Sequence, residues 1–443
     1  VPRPGRRALP GPGLTPVSGR AGRLRAILTS AGGSVATQLV TALASLLLQL
    51  VAARELGADG FAGFTLLLAT LVVVTTLHTA WVGDSLTVLD RFDPRVRSAL
   101  GVSLLSSLAL GAVAGTVLAV AFGAAGGPGA LLFGALVVVW LVEDTCRRVL
   151  AARMEFGRLA ANATLDMAVA FAVLGGFWLT GPPRLETMLA AMCAGSLAGV
   201  AHAVALLPRE ELAWPGLRGA DVRGVASFAT WRAAQAGLRP LTLMLARVAI
   251  AAMVSGAALA ATEGARLLLA PVLTLVNGVG AFLLPRMVRA RESGLPLRLR
   301  PALAASVTLT AVTAFGGAVA VVAADPLEPF VTGGNFTIAP VTVAGWAAYA
   351  VSLAVTLPIS MLATAYRHSR LVFTVRLIES LVGMGALLVL LALRPDLWEL
   401  APFCIGAGGV VTSVILVLRL RVLRGRASPS TPERVSHAAQ IDG

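Results

Sequence analysis

Three arginines stand out for their setting and spacing. Arg232, Arg239 and Arg247 fall in an otherwise apolar stretch at intervals of 7 and 8 residues. On a helix turning about 100° and rising about 1.5 Å per residue, these steps hold all three within roughly 80° and spread them over about 22 Å. A guanidinium is a planar fork of N–H donors that stays charged and grips two phosphate or carboxylate oxygens at once. A ladder of such forks suits an anion rich in those oxygens. Arg266 and Arg376 lie in two further apolar stretches, so all five belong to the second half of the chain. Two acids share such surroundings, Asp166 in the first half and Glu379 in the second, and a carboxylate there can exchange a proton or hold a sodium ion. Plainer readings stand beside these. Arg232 and Arg247 can snorkel to opposite interfaces, Arg266 and Arg376 can pair at i, i+3 with Glu263 and Glu379, and Asp166 can cap its helix beside Asn162.

The elements that carry these residues follow from composition. The chain has 443 residues, 57% apolar and 13% charged, with a mean hydropathy of +0.84. That is more apolar surface than one water-soluble core can hide, and it marks a membrane protein. Windows of roughly 20 apolar residues predict twelve spans: 33–53, 61–82, 100–122, 129–150, 163–180, 188–207, 225–254, 259–284, 302–324, 341–362, 371–393 and 401–418. Their unbroken apolar length predicts helices rather than barrel strands. The fold class is therefore all-α and polytopic. All 36 basic residues are arginine, and against 22 acids they give a net charge of +14. With the N-terminus in the cytoplasm, and Arg147 and Arg148 counted at the cytoplasmic end of the fourth span, 28 arginines fall on cytoplasmic segments and three, Arg54, Arg184 and Arg394, on outer ones. This asymmetry predicts both termini on the cytoplasmic side of the membrane. The basicity is thus topological, and nucleic acid is not an expected partner.

The predicted organisation is a disordered basic tail (1–32), six spans (33–207), a cytoplasmic linker (208–224), six more spans (225–420) and a second disordered tail (421–443). Ala52, Ala53, Gly57 and Ala58 align with Ala251, Ala252, Gly256 and Ala257 at a constant offset of 199, which suggests duplication. Two six-span repeats keep one orientation, so the halves would be related by an axis along the membrane normal and could rock about a central cavity. Cys146, Cys193 and Cys404 have no metal or disulfide spacing and read as buried inert thiols; His78 and His202 sit alone on apolar spans. Glu143 and Asp144, followed by Arg147 and Arg148, read as the cytoplasmic end of the fourth span. Pro240, Pro271 and Pro358 can kink their helices. No HExxH, Walker A, GxSxG or GxGxxG arrangement occurs in its required context, so hydrolysis and ATP-driven transport are not expected and no cofactor is called for.

The segment Val51-Ala-Ala-Arg-Glu-Leu-Gly-Ala-Asp-Gly-Phe-Ala-Gly-Phe64 resembles the first-to-second span junction of bacterial polysaccharide flippases. The stretch from Arg247 through Glu263, Pro271 and Asn277 to Pro285-Arg286 is similar to their seventh and eighth spans, and Phe330-Val-Thr-Gly-Gly-Asn-Phe-Thr-Ile-Ala339 to their ninth-to-tenth junction. The resemblance spans about residues 25–425 and points to the superfamily of multidrug, oligosaccharidyl-lipid and polysaccharide exporters. It implies two six-helix lobes in a MATE-like V and alternating access without ATP. The expected function is translocation of a polyprenyl-diphosphate-linked oligosaccharide for cell-surface polysaccharide or lipopolysaccharide assembly. On this reading Arg232, Arg239, Arg247, Arg266 and Arg376 bind the diphosphate, and Asp166 and Glu379 are the candidates for coupling to a proton or sodium gradient. Implied partners are the anionic lipid-linked saccharide, membrane lipids, and a polysaccharide polymerase with glycosyltransferases. The alternatives are a cation-coupled multidrug exporter and a flippase for the peptidoglycan lipid precursor. Arg54 and Glu55 are expected to fix the outer turn rather than touch substrate.

Overall fold

The computed structural model describes residues 20–212, 216, 219–293, 299–366 and 368–426, with side chains at most positions from Thr37 to Leu420. All regular structure among them is helical. The first half consists of α1 (Arg20–Glu55), α2 (Gly57–His78), α3 (Pro94–Ala121), α4 (Gly127–Ala152), α5 (Phe156–Trp178) and α6 (Leu185–Leu206). The second consists of α7 (Val222–Met253), α8 (Gly256–Leu268), α9 (Ala270–Glu292), α10 (Leu299–Val322), α11 (Ala324–Thr332), α12 (Pro340–Ala365), α13 (Ser369–Leu393) and α14 (Ala401–Arg426). Eleven helices are long and apolar enough to cross a membrane, or twelve if the bent pair α8–α9 is one span. The chain is a multi-pass membrane protein.

Several helix starts are written locally. Asp93 accepts from the backbone N–H of Arg95 at 2.8 Å, with Pro94 at the first helical position of α3. Asp221 caps α7 through Gly224 at 2.9 Å, and Ser255 caps α8 through Ala258 at 3.1 Å. Each satisfies an orphan N–H at a helix N-terminus.

The expected span 259–284 is broken. α8 and α9 meet at Leu269 with a bend of 59°. Pro271, two residues on, has no N–H to give the Leu267 carbonyl, and its ring crowds that carbonyl. α7 and α12 run continuously through Pro240 and Pro358. Between the expected spans 302–324 and 341–362 the chain forms the short helix α11. α1 begins at Arg20, inside the stretch expected as tail; among the described residues of the expected linker, Arg209–Leu212 forms a helical turn and α7 already begins at Val222. The tail segments 1–19 and 427–443 lie outside the described residues. α2 does not stop at His78; it passes through a π turn, Thr79–Gly83, into Asp84–Val88.

Each half packs within itself: α1 on α5, α4 on α6 and α3 on α4 in the first, α10 and α14 on α12 and α13 on α14 in the second. Between halves, α2 lies on α7 and α8, and α1 touches α8 and α11. One large core, with Phe61, Phe64, Phe133, Leu259 and Trp346, runs through both halves. Three further cores are separate: one around Leu150, Leu207 and Val225, one around Leu299, Ile359 and Leu416, and a small one of Ala69, Val73 and Met244 between α2 and α7. The large core includes the α1–α2 and α7–α8 junctions, the end predicted to face outside. The cores around Leu150 and Leu416 sit at the arginine-rich end, predicted cytoplasmic.

Candidate functional site

Between the halves lies a cavity of about 620 Å³, lined from α1, α2, α4 to α9. This is the size of a small-molecule or headgroup site. Among the described residues that line it, Arg147, Arg239, Arg247 and Arg266 are basic and Asp166 and Glu263 acidic. The rest is mostly apolar, with Thr41, Ser45, Gln49, Thr75, Thr76 and Asn277 as polar relief.

Arg247 and Arg266 converge on one acid. Glu263, 1% exposed, accepts from Arg247 at 2.8 and 3.1 Å and from Arg266 at 2.6 Å. Arg266 also donates to the Gln49 carbonyl oxygen at 2.6 Å, and the Gln49 amide donates to Ser45. The pairing of Arg266 with Glu263 is therefore present, and Arg247 joins it rather than reaching for an interface. Two guanidiniums share one carboxylate, so the cluster keeps one positive charge. Each guanidinium has five N–H donors and Glu263 takes only part of them. The carboxylate holds the forks in place while leaving donors for a ligand.

Arg239 lies further along α7. Its Nε donates to the Tyr349 hydroxyl at 2.9 Å, and its guanidinium sits 5.5 Å from that ring's centroid. Arg376 and Glu379 are not part of the central cavity. They line a smaller one inside the second half, which Arg239 also borders. Arg376 and Glu379 do not form an ion pair with each other. Arg232 lies apart as well: at the arginine-rich end of α7 its Nε donates to Asp84 at 2.9 Å, tying α7 to the extension of α2. Beside it Trp231 rests on Phe373 of α13, ring centroids 5.0 Å apart.

In the first half, Asp166 meets Arg147 at 3.0 Å, and the same guanidinium lies 2.7 Å from Glu143 and donates to Asn162 at 2.8 Å. Asn162 in turn donates to the Gly199 carbonyl at 2.7 Å. Glu143 and Arg147 are thus not a cytoplasmic helix end: Glu143 is 1% exposed inside α4, and Arg147 faces the cavity. Sequence reading missed Arg147 because two acid–arginine pairs in a row resemble an interfacial cluster. The signal was their i, i+4 spacing inside an apolar span, which lets each charge travel with a partner. His78 is not alone either. It bonds to Ser107 at 2.8 Å and to Thr145 at 2.9 Å, while Thr79 donates to Asp144 at 2.8 Å. This buried polar network brackets the start of the π turn. His202 lies 3.5 Å from the Asn162 amide.

Arg54 reaches across the opposite end. It donates to the Phe330 carbonyl at 2.7 Å, and its own carbonyl accepts from Asn335 at 2.6 Å. Gly333, at φ +61°, lets the chain turn against Arg54. The duplicated junctions also touch, since a Cβ on Gly256 would run into Asp59. Cys146 is buried and Cys193 and Cys404 half-buried. Among the described residues no three His, Cys, Asp or Glu side chains gather as metal ligands.

No protein-family profile and no curated protein matches the sequence. Solved structures do match in fold. The lipid II flippase MurJ in an inward closed conformation is similar at TM-score 0.69 and 12% identity, over 88% of this chain and 87% of that one. An inward-facing multidrug resistance MATE family transporter of the MOP superfamily is similar at TM-score 0.66 and 14% identity, over 88% and 96%. A MOP superfamily transporter from Pyrococcus furiosus, described by a reverse polarity of its binding pocket that suggests a different function, is similar at TM-score 0.60 and 14% identity, over 92% and 97%. The fold is that of MOP superfamily transporters.

Proposed function

We propose that the chain is a flippase that carries a polyprenyl-diphosphate-linked oligosaccharide across the cytoplasmic membrane by alternating access of two lobes. The observation that carries this reading is the Arg247–Glu263–Arg266 cluster on the wall of a cavity between the halves. It presents fixed, incompletely used guanidinium donors with a residual positive charge, which suits a diphosphate and repels an organic cation. Arg239 extends this surface along α7. Thr41, Ser45, Thr75, Thr76 and Asn277 offer hydrogen bonds to passing sugars, and the lipid tail stays in the bilayer. The lipid II flippase MurJ is similar in fold, which makes the peptidoglycan lipid precursor a close variant of the same substrate class.

A second reading, a cation-coupled exporter, is favoured by the Glu143–Arg147–Asp166 cluster, where two acids face one guanidinium. Inverted vesicles separate the two. Labelled polyprenyl-diphosphate saccharide is expected to move in a protein-dependent way, and Arg247→Gln to slow it about tenfold or more, the worth of one charge-assisted bond. Cationic drug uptake with no movement of the saccharide would reverse the order of the readings.

A further inference from the structure

The smaller cavity inside the second half has a volume of about 50 Å³, against about 620 Å³ for the central one. By the measure of about 10–15 Å³ per water, it admits a few waters or one small ion, not a sugar diphosphate. Its apolar wall includes Leu243, Leu353, Ile405 and Leu416. Two guanidiniums reach it, Arg239 from α7 and Arg376 from α13, with one carboxylate, Glu379. Among the described residues the guanidinium of Arg376, inside α13, makes no hydrogen bond and no ion pair within 4 Å, and neither does the carboxylate of Glu379.

The charge count does not depend on rotamers. If Arg376 swung onto Glu379, Arg239 would still stand uncompensated. All three side chains are half-buried, and a charge drawn partly out of water without a partner is costly enough that proteins tend to pair it, neutralise it or bind a counter-ion. The donors for a counter-ion are present. Tyr349 accepts from Arg239 at 2.9 Å, which leaves its own O–H to donate. Arg376 has its whole fork unspent, and the Ser380 hydroxyl lines the same space. By contrast, Thr356 and Ser360 turn their hydroxyls to backbone carbonyls of their own helix, at 3.0 and 2.8 Å.

We propose that this cavity binds one small monovalent anion of chloride size, held by Arg239, Arg376 and the Tyr349 hydroxyl. It is a site of its own beside the central cavity, with Arg239 bordering both, and it does not rest on the flippase reading. The test uses the purified full chain in detergent, with thermal unfolding followed in sodium chloride and in sodium gluconate at equal ionic strength. Chloride is expected to raise the midpoint by a few degrees and to saturate, while gluconate, too large to enter, does not. Arg376→Gln is expected to abolish the chloride effect and, in gluconate, to be at least as stable as the native chain, because it removes the like charge facing Arg239. Tyr349→Phe, which removes only the O–H donor, is expected to weaken the apparent chloride affinity several-fold. Arg247→Gln, in the central cavity, is expected to keep the effect. Equal stabilisation by both salts, or a chloride effect that survives Arg376→Gln, overturns the proposal. So does loss of the effect in Arg247→Gln alone, which places the anion in the central cavity.

Discussion

Glu263 is the residue on which the second-half cluster depends. It is 1% exposed and lies between Arg247 and Arg266. Glu263→Gln leaves two guanidiniums facing each other with no anion between them, and breaking a buried pair from one side costs about 3 kcal/mol or more. Arg247→Gln is expected to cost much less, because Arg266 still holds Glu263. The double substitution is expected to recover part of the Glu263→Gln loss, as read from thermal unfolding in detergent. The membrane charges were legible in the sequence because a charge in hydrocarbon is conspicuous. Their partners were only half legible: the i, i+3 pair Arg266–Glu263 follows from spacing, whereas Arg247–Glu263 joins two helices, and Arg376–Glu379 has the right spacing but makes no pair.

At the scale of the element, the bend between α8 and α9 is the feature that periodicity could not supply. Twenty-six mostly apolar residues, 259–284, read as one span, and hydropathy does not register a missing hydrogen bond. Pro271 supplies the cause, since it removes the Leu267 carbonyl's partner where the two helices meet. Pro271→Ala is expected to restore that bond and straighten the pair. Spin labels at Ala257 and Gly278, both exposed, are then expected to move apart by about 4 Å, from the 59° bend and a rise of about 1.5 Å per residue. An unchanged distance would assign the bend to packing instead. Gly333 closes α11 at φ +61° against Arg54. Gly333→Ala is expected to lower stability by about 1 kcal/mol, the order of cost of a left-handed non-glycine residue.

At the scale of the whole molecule, two sets of contacts bridge the halves at opposite ends. Arg54 binds Phe330 and Asn335 at one, and Asp84 binds Arg232 at the other. The largest core joins the halves at the Arg54 end, while Val225 of α7 packs into a smaller one at the other. Asn335→Ala removes one hydrogen bond there, worth about 1 kcal/mol, or roughly fivefold in the population of states open at that end. A cysteine at Ser45, in a chain lacking Cys146, Cys193 and Cys404, is expected to label correspondingly faster with an impermeant maleimide from outside. Arg232→Gln breaks a half-exposed pair, so a stability loss below about 1 kcal/mol is expected. The sequence by itself determined the membrane class, the helical fold and the number of spans to within one, because apolar length and arginine asymmetry are local or additive quantities. It also marked the arginines that belong in the membrane. Only the tertiary structure decided which of them share a cavity. It moved Arg147 into the central site, set Arg376 and Glu379 in a chamber of their own, and placed Arg232 at a tie between halves. Those assignments depend on how helices far apart in sequence rotate and pack against one another, and spacing along one helix carries no record of that.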